Sequence, residues 1–305
     1  MHPIYDMIII GGGPGGYTAA LYAARAGLKA AVLERLCAGG QMSLTTQIDN
    51  YPGFPEGIDG FTLGDNMRAG AERFGAKTIY TQVDALRLEG DLKEADTDSG
   101  TLQARTVVIA TGANPRLLGI DGEKELTGVG VSYCAHCDGM FYRDKTVVVV
   151  GGGNSAAADA LLLSRIAKKV ILVHRRDALR ATKIYHEPLL AAQNIEFYWN
   201  STISELLHNE KLTGVRLRNV NTGTETTLSC DGLFVSIGRQ PATELVQGQL
   251  TLDETGYILA GEDTQTNIPG VYAVGDVRTK QLRQIVTAVA DGAIAAHNAE
   301  HYLNQ

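Results

Sequence analysis

No apolar run in this chain approaches the roughly 20 residues needed to cross a bilayer, which excludes a membrane-spanning helix. Nor is there an excess of base: 27 Lys and Arg stand against 34 Asp and Glu, a formal net charge of -7. Nucleic acid and anionic membranes both select basic surfaces, so neither is expected as a partner. The segment Met1-His2-Pro3-Ile4-Tyr5-Asp6 lacks the basic stretch of a secretory leader, and Met7 to Ile10 leads straight into a glycine loop. We read that segment as a strand and expect a cytoplasmic protein. Cysteine is scarce: only Cys37, Cys134, Cys137 and Cys230 are present. Without a leader, a structural disulfide framework is not expected, and 305 residues at 44% apolar content suffice for a core without one. The single Trp199 and the tyrosines follow no spacing that suggests a cofactor box and are read as packing.

Glycine, at 35 residues, is abundant and concentrated at strand-to-helix turns. The first cluster is Gly11-Gly12-Gly13-Pro14-Gly15-Gly16. It follows the apolar strand Met7 to Ile10 and opens an Ala-rich helix, Tyr17 to Ala26, ended by Gly27. A second strand, Lys29 to Leu33, closes at Glu34, 18 residues after Gly16. Each element has a purpose in dinucleotide binding. Gly11 permits the tight turn, Gly13 lets the backbone approach a pyrophosphate, and Gly16 lets helix and strand pack closely. With Pro14, these residues open a helix whose N-terminus favours phosphate, and Glu34 is placed for a ribose diol.

The pattern restarts about 140 residues later. The strand Thr146 to Val150 precedes Gly151-Gly152-Gly153-Asn154-Ser155-Ala156, then a helix from Ser155 to Ile166 and a strand from Val170 to Val173. That strand ends not in an acid but in His174-Arg175-Arg176, with Arg180 just beyond. An acid would repel a 2′-phosphate, whereas arginines bind one through charge-assisted hydrogen bonds. The site is therefore expected to prefer NADPH to NADH. Thr111-Gly112-Ala113-Asn114-Pro115 and Gly238-Arg239-Gln240-Pro241 read as linkers. The C-terminal part, with Gly275-Asp276 and an Ala-rich helix from Ile285 to Tyr302, is expected to rejoin the first domain. The fold class expected is α/β: two Rossmann-like dinucleotide-binding domains, the second inserted into the first. The first domain takes residues 1-113 and 241-305, and the second takes 114-240. Leu63 to Phe74 reads as a helix, Thr78 to Val83 and Leu233 to Ile237 as strands, and the polar segment Asp91 to Gly100 as an exposed hairpin tip.

Between the two glycine clusters lies Cys134-Ala135-His136-Cys137, followed by Asp138. A C-x-x-C spacing brings two sulfurs within disulfide reach and commonly depresses one thiol pKa. A structural zinc site usually wants four ligands, and Cys37 and Cys230 are isolated, so redox chemistry is expected. Asp138 is the candidate proton donor or acceptor for a thiol, though Asp138-Gly139 is also a common turn dipeptide. His136 either assists a thiolate or simply faces solvent. Two dinucleotide sites plus a dithiol imply a relay from nicotinamide to flavin to disulfide.

In these motifs the chain resembles the low-molecular-weight bacterial thioredoxin reductases over essentially its full length. The ordered match also includes Gly39-Gly40-Gln41, Asn50-Tyr51-Pro52-Gly53, Ala110-Thr111-Gly112-Ala113 and Arg283-Gln284. The resemblance implies FAD in the first domain, with Glu34 on its ribose and Asp276 on its ribityl chain. Gly40, Gln41, Asn50, Thr111, Gly112, Gly275, Arg283 and Gln284 would lie around it. It implies NADPH in the second domain, at Gly151, Gly153, Asn154, Ser155, Ala156 and His174, with Arg175, Arg176 and Arg180 on its 2′-phosphate. It makes Cys137 the flavin-facing sulfur, Cys134 the sulfur that attacks thioredoxin, and Asp138 the acid–base group. It also implies a homodimer and a rotation of the inserted domain about linkers near Asn114 and Gln240. Two positions depart from the family: His136 stands where a small residue is usual, and Ala157-Ala158-Asp159 replaces a more acidic stretch. The alternatives from the sequence are a ferredoxin-linked reductase, a flavin-dependent dithiol oxidase and a redox-sensing binding module.

Overall fold

A computed structural model describes residues 3–45 and 47–305; the first two residues of the N-terminal segment read above lie outside it. The chain divides into two compact units, one of Met1–Asn114 with Gln240–Gln305 and one of Pro115–Arg239. Its helices are α1 (Pro14–Arg25), α2 (Gly60–Glu72), α3 (Ala135–Asp138), α4 (Asn154–Ser164), α5 (His186–Ala191) and α6 (Ile285–Leu303).

The larger unit is built on a seven-stranded sheet. Lys77–Tyr80, Ala30–Glu34, Tyr5–Ile10 and Gly100–Ile109 lie side by side in that order, and Val271–Ala273 pairs beyond. Those pairings are parallel. Parallel strands covered on both faces need apolar residues on both, and Tyr5–Ile10 supplies them. Ile8 and Ile10 pack on one face with Val83, Leu86 and Leu250. Met7 and Ile9 pack on the other, against the alanines of α1 and α6. Pro14 occupies the first turn of α1, where its missing N–H costs nothing. At α2, the Asp59 carboxylate caps the helix by accepting the Thr62 N–H at 2.8 Å.

The smaller unit repeats this plan. Its parallel sheet runs Ile195–Tyr198, Lys169–Val173, Thr146–Val150, Gly232–Val235 and Val131–Ser132. Val147 and Val149 face the alanines of α4, while Val148 and Val150 face Ile203, Leu206 and Leu217. The latter belong to an antiparallel sheet of Ser201–His208, Leu212–Asn219 and Glu225–Ser229, which the sequence reading had not marked. The two connecting segments, Ala113–Pro115 and Arg239–Pro241, pair as a two-stranded ribbon.

Only Asp98-Ser99, the exposed turn between paired Thr97 and Gly100, is a hairpin tip within Asp91 to Gly100. The segment contains the strand Lys93–Thr97, antiparallel to strands on both sides. Its composition misleads because Lys93 is only 1% exposed. The ammonium donates to the Gly90 carbonyl at 2.8 Å and sits over the Tyr302 ring. The aliphatic stem serves as core. Helices α1 and α2 begin three residues earlier than the periodicity suggests, because Pro14 and Asp59 start them and neither is apolar in pattern.

Candidate active site

The two glycine clusters form equivalent turns. Gly11 and Gly151 adopt φ of +106° and +149°. A Cβ at Gly11 would lie 2.5 Å from the Ala110 carbonyl oxygen, and one at Gly151 would lie 2.3 Å from that of Ser236. Gly13 and Gly153 are the N-caps of α1 and α4, and neither helix has a side-chain cap or an acid in its first turn. The space beside both Cα atoms is open for 4 Å. Two uncapped helix N-termini facing open backbone suit a pyrophosphate, so both turns fit a dinucleotide. At Gly16 a Cβ would meet the Gly11 carbonyl oxygen at 2.1 Å. Gly16→Ala therefore forces the first turn apart, and the variant should purify without the yellow flavin that the resemblance places there. Retention of full yellow colour would contradict this.

The clusters differ where their second strands end. Glu34 turns back onto its turn and accepts the Gly12 N–H at 2.7 Å, and its other oxygen accepts those of Arg35 and Leu36. In the smaller unit His174 holds the corresponding place. It is 4% exposed, and its ring lies so close to Gly152 that an added Cβ would sit 2.2 Å from it. Burial, reinforced by Arg180, Arg175 and Arg176, lowers the His174 pKa and favours the neutral ring. Its Nε2 is one of the buried polar atoms with no partner among the described residues. Arg175, Arg176 and Arg180 are exposed. The Arg180–Thr182 segment is pinned to the turn: the Arg180 N–H donates to the Gly152 carbonyl at 2.7 Å, and the Thr182 N–H donates to the Asn154 side chain at 2.8 Å. Ser155 is exposed at the start of α4, and the Ala156 methyl is buried beneath the turn.

Of the remaining first-unit residues, Gly40 lies against the glycine turn and the others make pairs elsewhere in the unit. The Gly39 N–H donates to the Gly12 carbonyl at 2.8 Å, and Gly40 packs against Gly13. The Gln41 amide donates to Asn114 Oδ1 at 3.0 Å, and Asn50 Nδ2 donates to Gln284 Oε1 at 3.1 Å. The Thr111 hydroxyl donates to the Ala242 carbonyl at 2.6 Å, and the Ala242 N–H returns to the Gly112 carbonyl. Arg283 stacks on the Tyr257 ring at 4.0 Å, and Gln284 caps α6 reciprocally with Thr287. Gly275 opens the short turn that carries half-buried Asp276.

That turn rests on a cluster the sequence reading missed. Asp291 of α6 is 3% exposed and accepts four hydrogen bonds. They come from the Gly275 N–H at 2.8 Å, Arg278 Nε at 2.9 Å and Nη2 at 2.7 Å, and Lys280 Nζ at 2.7 Å. A helix-spaced Asp among alanines gives no local signal of this.

Cys134 and Cys137 are joined in a disulfide, with Cα atoms 5.3 Å apart. Cys134 is the N-cap of α3, and its Sγ accepts the Cys137 N–H at 3.2 Å, a contact that stabilises a thiolate on that sulfur. Burial raises the Asp138 pKa, opposed by a hydrogen bond from Ser132. The Ser132 hydroxyl donates to Asp138 Oδ2 at 2.6 Å. His136 is exposed and lies near Asp159 of α4. Cys230 is buried in the core, which pushes its thiol up to about 12; Cys37 is half-buried beside Ser43.

A family profile described as pyridine nucleotide-disulphide oxidoreductase matches residues 5–292. The chain is 49% identical over 301 residues to the thioredoxin reductase of Mycolicibacterium smegmatis, covering 98% of this chain and 97% of that protein. It is 48% identical to the thioredoxin reductase of Streptomyces clavuligerus, covering 99% and 95% respectively. The crystal structure of thioredoxin reductase from Streptococcus pyogenes superposes with a TM-score of 0.93 at 45% identity, covering 99% of this chain and 98% of that one. The chain therefore belongs to the pyridine nucleotide-disulphide oxidoreductase family, on the branch of the thioredoxin reductases.

Proposed function

We infer that this protein is a thioredoxin-disulfide reductase, passing electrons from NADPH through FAD and the Cys134–Cys137 dithiol to a thioredoxin-like protein. The observation that carries this reading is the disulfide beside a half-buried carboxyl, in a chain with two dinucleotide-type turns. FAD belongs to the larger unit, on Gly11, Gly13, Glu34, Gly40, Gln41, Asn50, Asp276, Arg283 and Gln284. NADPH belongs to the smaller unit, on Gly151, Gly153, Asn154 and Ser155. When bound, the flavin accepts a hydride's two electrons and makes them available to a disulfide.

The chain's own residues account for the rest. The Cys134 thiolate, favoured by the Cys137 N–H, attacks the partner disulfide. One Cys134–partner bond forms as the partner's S–S bond breaks, and its departing sulfur takes a proton. Cys137 then attacks Cys134 Sγ, restoring the Cys134–Cys137 disulfide and releasing the second partner thiol. Two electrons and two protons leave with the partner. Asp138, whose acid form persists above the usual carboxylate range, is the group that exchanges those protons. Met140 and Phe141 are exposed just past the pair, an apolar surface suited to a protein partner.

Arg175, Arg176 and Arg180 select the 2′-phosphate. Each charge-assisted hydrogen bond is worth about 1.5–3 kcal/mol, so a single Arg→Ala change should raise KM for NADPH by about 10- to 100-fold. KM for NADH should barely change. Steady-state kinetics with both nucleotides tests this; an equal rise for both would contradict it. The reading includes a cytoplasmic homodimer that binds neither nucleic acid nor membrane. Among the described residues, no helix is long and apolar enough to cross a membrane. Light scattering after gel filtration tests the dimer.

A further inference from the structure

Ser132 sits at the crossing point of the redox centre. It is 4% exposed, in the two-residue strand Val131–Ser132, where register with Leu233 and Phe234 fixes it in the parallel sheet. Its hydroxyl donates to Asp138 Oδ2 at 2.6 Å and accepts the Cys134 N–H at 3.1 Å. The Cys134 carbonyl, at 3.4 Å, is a longer alternative for the same proton. The next residue is also held: the Tyr133 hydroxyl donates at 2.8 Å to Glu123, which also receives the Leu118 and Gly119 N–H groups.

We propose that Ser132 is a positioning residue for dithiol exchange, its hydroxyl fixing the Asp138 carboxyl against the Cys134 backbone. The inference rests on the reading of Asp138 as the acid–base group. A hydroxyl has one donor and two lone pairs. One lone pair serves the Cys134 N–H. The proton serves ionised Asp138, and the second lone pair can receive the proton of neutral Asp138. The contact thus survives both protonation states, which a group that cycles a proton requires.

The charged and titratable neighbours are few. His136 shares α3. Asp159 of α4 accepts from Ser236 Oγ at 2.5 Å and lies near His136 and Arg239. Tyr142, in the turn after α3, feels Asp138 and, behind it, Cys230 and Asp231. The hydrogen bond that opposes burial at Asp138 comes from Ser132. The bond is charge-assisted and stronger when Asp138 is ionised, so losing it removes an interaction that opposes burial and makes the carboxyl harder to ionise.

The test is the pH dependence of single-turnover reduction of a thioredoxin disulfide by the pre-reduced holoenzyme. Wild type, Asp138→Asn, Ser132→Ala and Ser132→Thr are compared, with Ser132→Gly as a second hydroxyl-free variant should the alanine protein lose its flavin. The limb due to Asp138 should vanish in Asp138→Asn. It should move upward by about one pH unit in Ser132→Ala, the margin of a charge-assisted over a neutral hydrogen bond, and return in Ser132→Thr. An unmoved limb in both hydroxyl-free variants, with the limb lost in Asp138→Asn, overturns the role of Ser132 and leaves Asp138 standing. An unchanged rate and limb in Asp138→Asn overturns the acid–base reading, and the inference with it.

Discussion

Replacing Cys137 with Ser should reduce thioredoxin-disulfide turnover to the background of the assay, while NADPH still bleaches the flavin absorbance. The nucleotide turns are built from residues remote in sequence from Cys137, so hydride delivery should not depend on it. What is lost is the second exchange step. Cys134 keeps its Sγ contact with the backbone N–H of residue 137, a group the substitution retains, and so keeps its nucleophile. Mixed with a single-cysteine thioredoxin activated by thionitrobenzoate, Cys137→Ser should release one equivalent of thionitrobenzoate and form a covalent complex. Cys134→Ser should form that complex far more slowly. Equal trapping by both variants would contradict the assignment of Cys134 as the attacking sulfur.

The second large effect is on stability. Asp291→Ala should destabilise the larger unit by about 3–5 kcal/mol, the typical cost of breaking a buried ion pair from one side. Arg278, 2% exposed, would keep only the longer contact at 3.6 Å to the exposed Glu262, and the nearly buried Lys280 would lose its paired carboxylate. The Gly275 N–H would also lose its acceptor, so FAD should dissociate more readily. The pH dependence follows. Burial alone would raise the Asp291 pKa, but Arg278 and Lys280 override it and the net direction is down. A carboxyl whose folded pKa is depressed contributes stability above its unfolded pKa and loses it as pH falls through the folded value. The wild-type protein should therefore shed this contribution only at pH below the ordinary carboxylate range, and Asp291→Ala should lack that acid transition. Urea unfolding monitored across pH measures both; a variant within about 0.5 kcal/mol of wild type, the usual range for a neutral surface change, would contradict the account.

The dinucleotide turns and the redox pair were legible because their chemistry is local. A tight turn demands glycine at Gly11, close packing demands it at Gly16, and two sulfurs three residues apart announce themselves. The groups that support them were not legible, because their partners are distant. Asp291 meets Gly275, Arg278 and Lys280 from one turn inside an alanine-rich helix. Ser132 acts across six residues, through a sheet register that Phe234 helps set. His174 is legible as a residue of the second nucleotide site, but its ring is buried against Gly152, a placement that no local pattern announces. Lys93 misled: its charge suggested solvent, while its stem fills a core position.

One anaerobic experiment follows the whole relay. The purified yellow protein is titrated with NADPH, and separately with NADH, while flavin absorbance is followed; oxidised thioredoxin is then added. Bleaching is expected at far lower concentrations of NADPH than of NADH, with recovery of the absorbance as thioredoxin thiols appear. Bleaching by dithionite but by neither nucleotide, or bleaching that thioredoxin does not reverse, would contradict the relay.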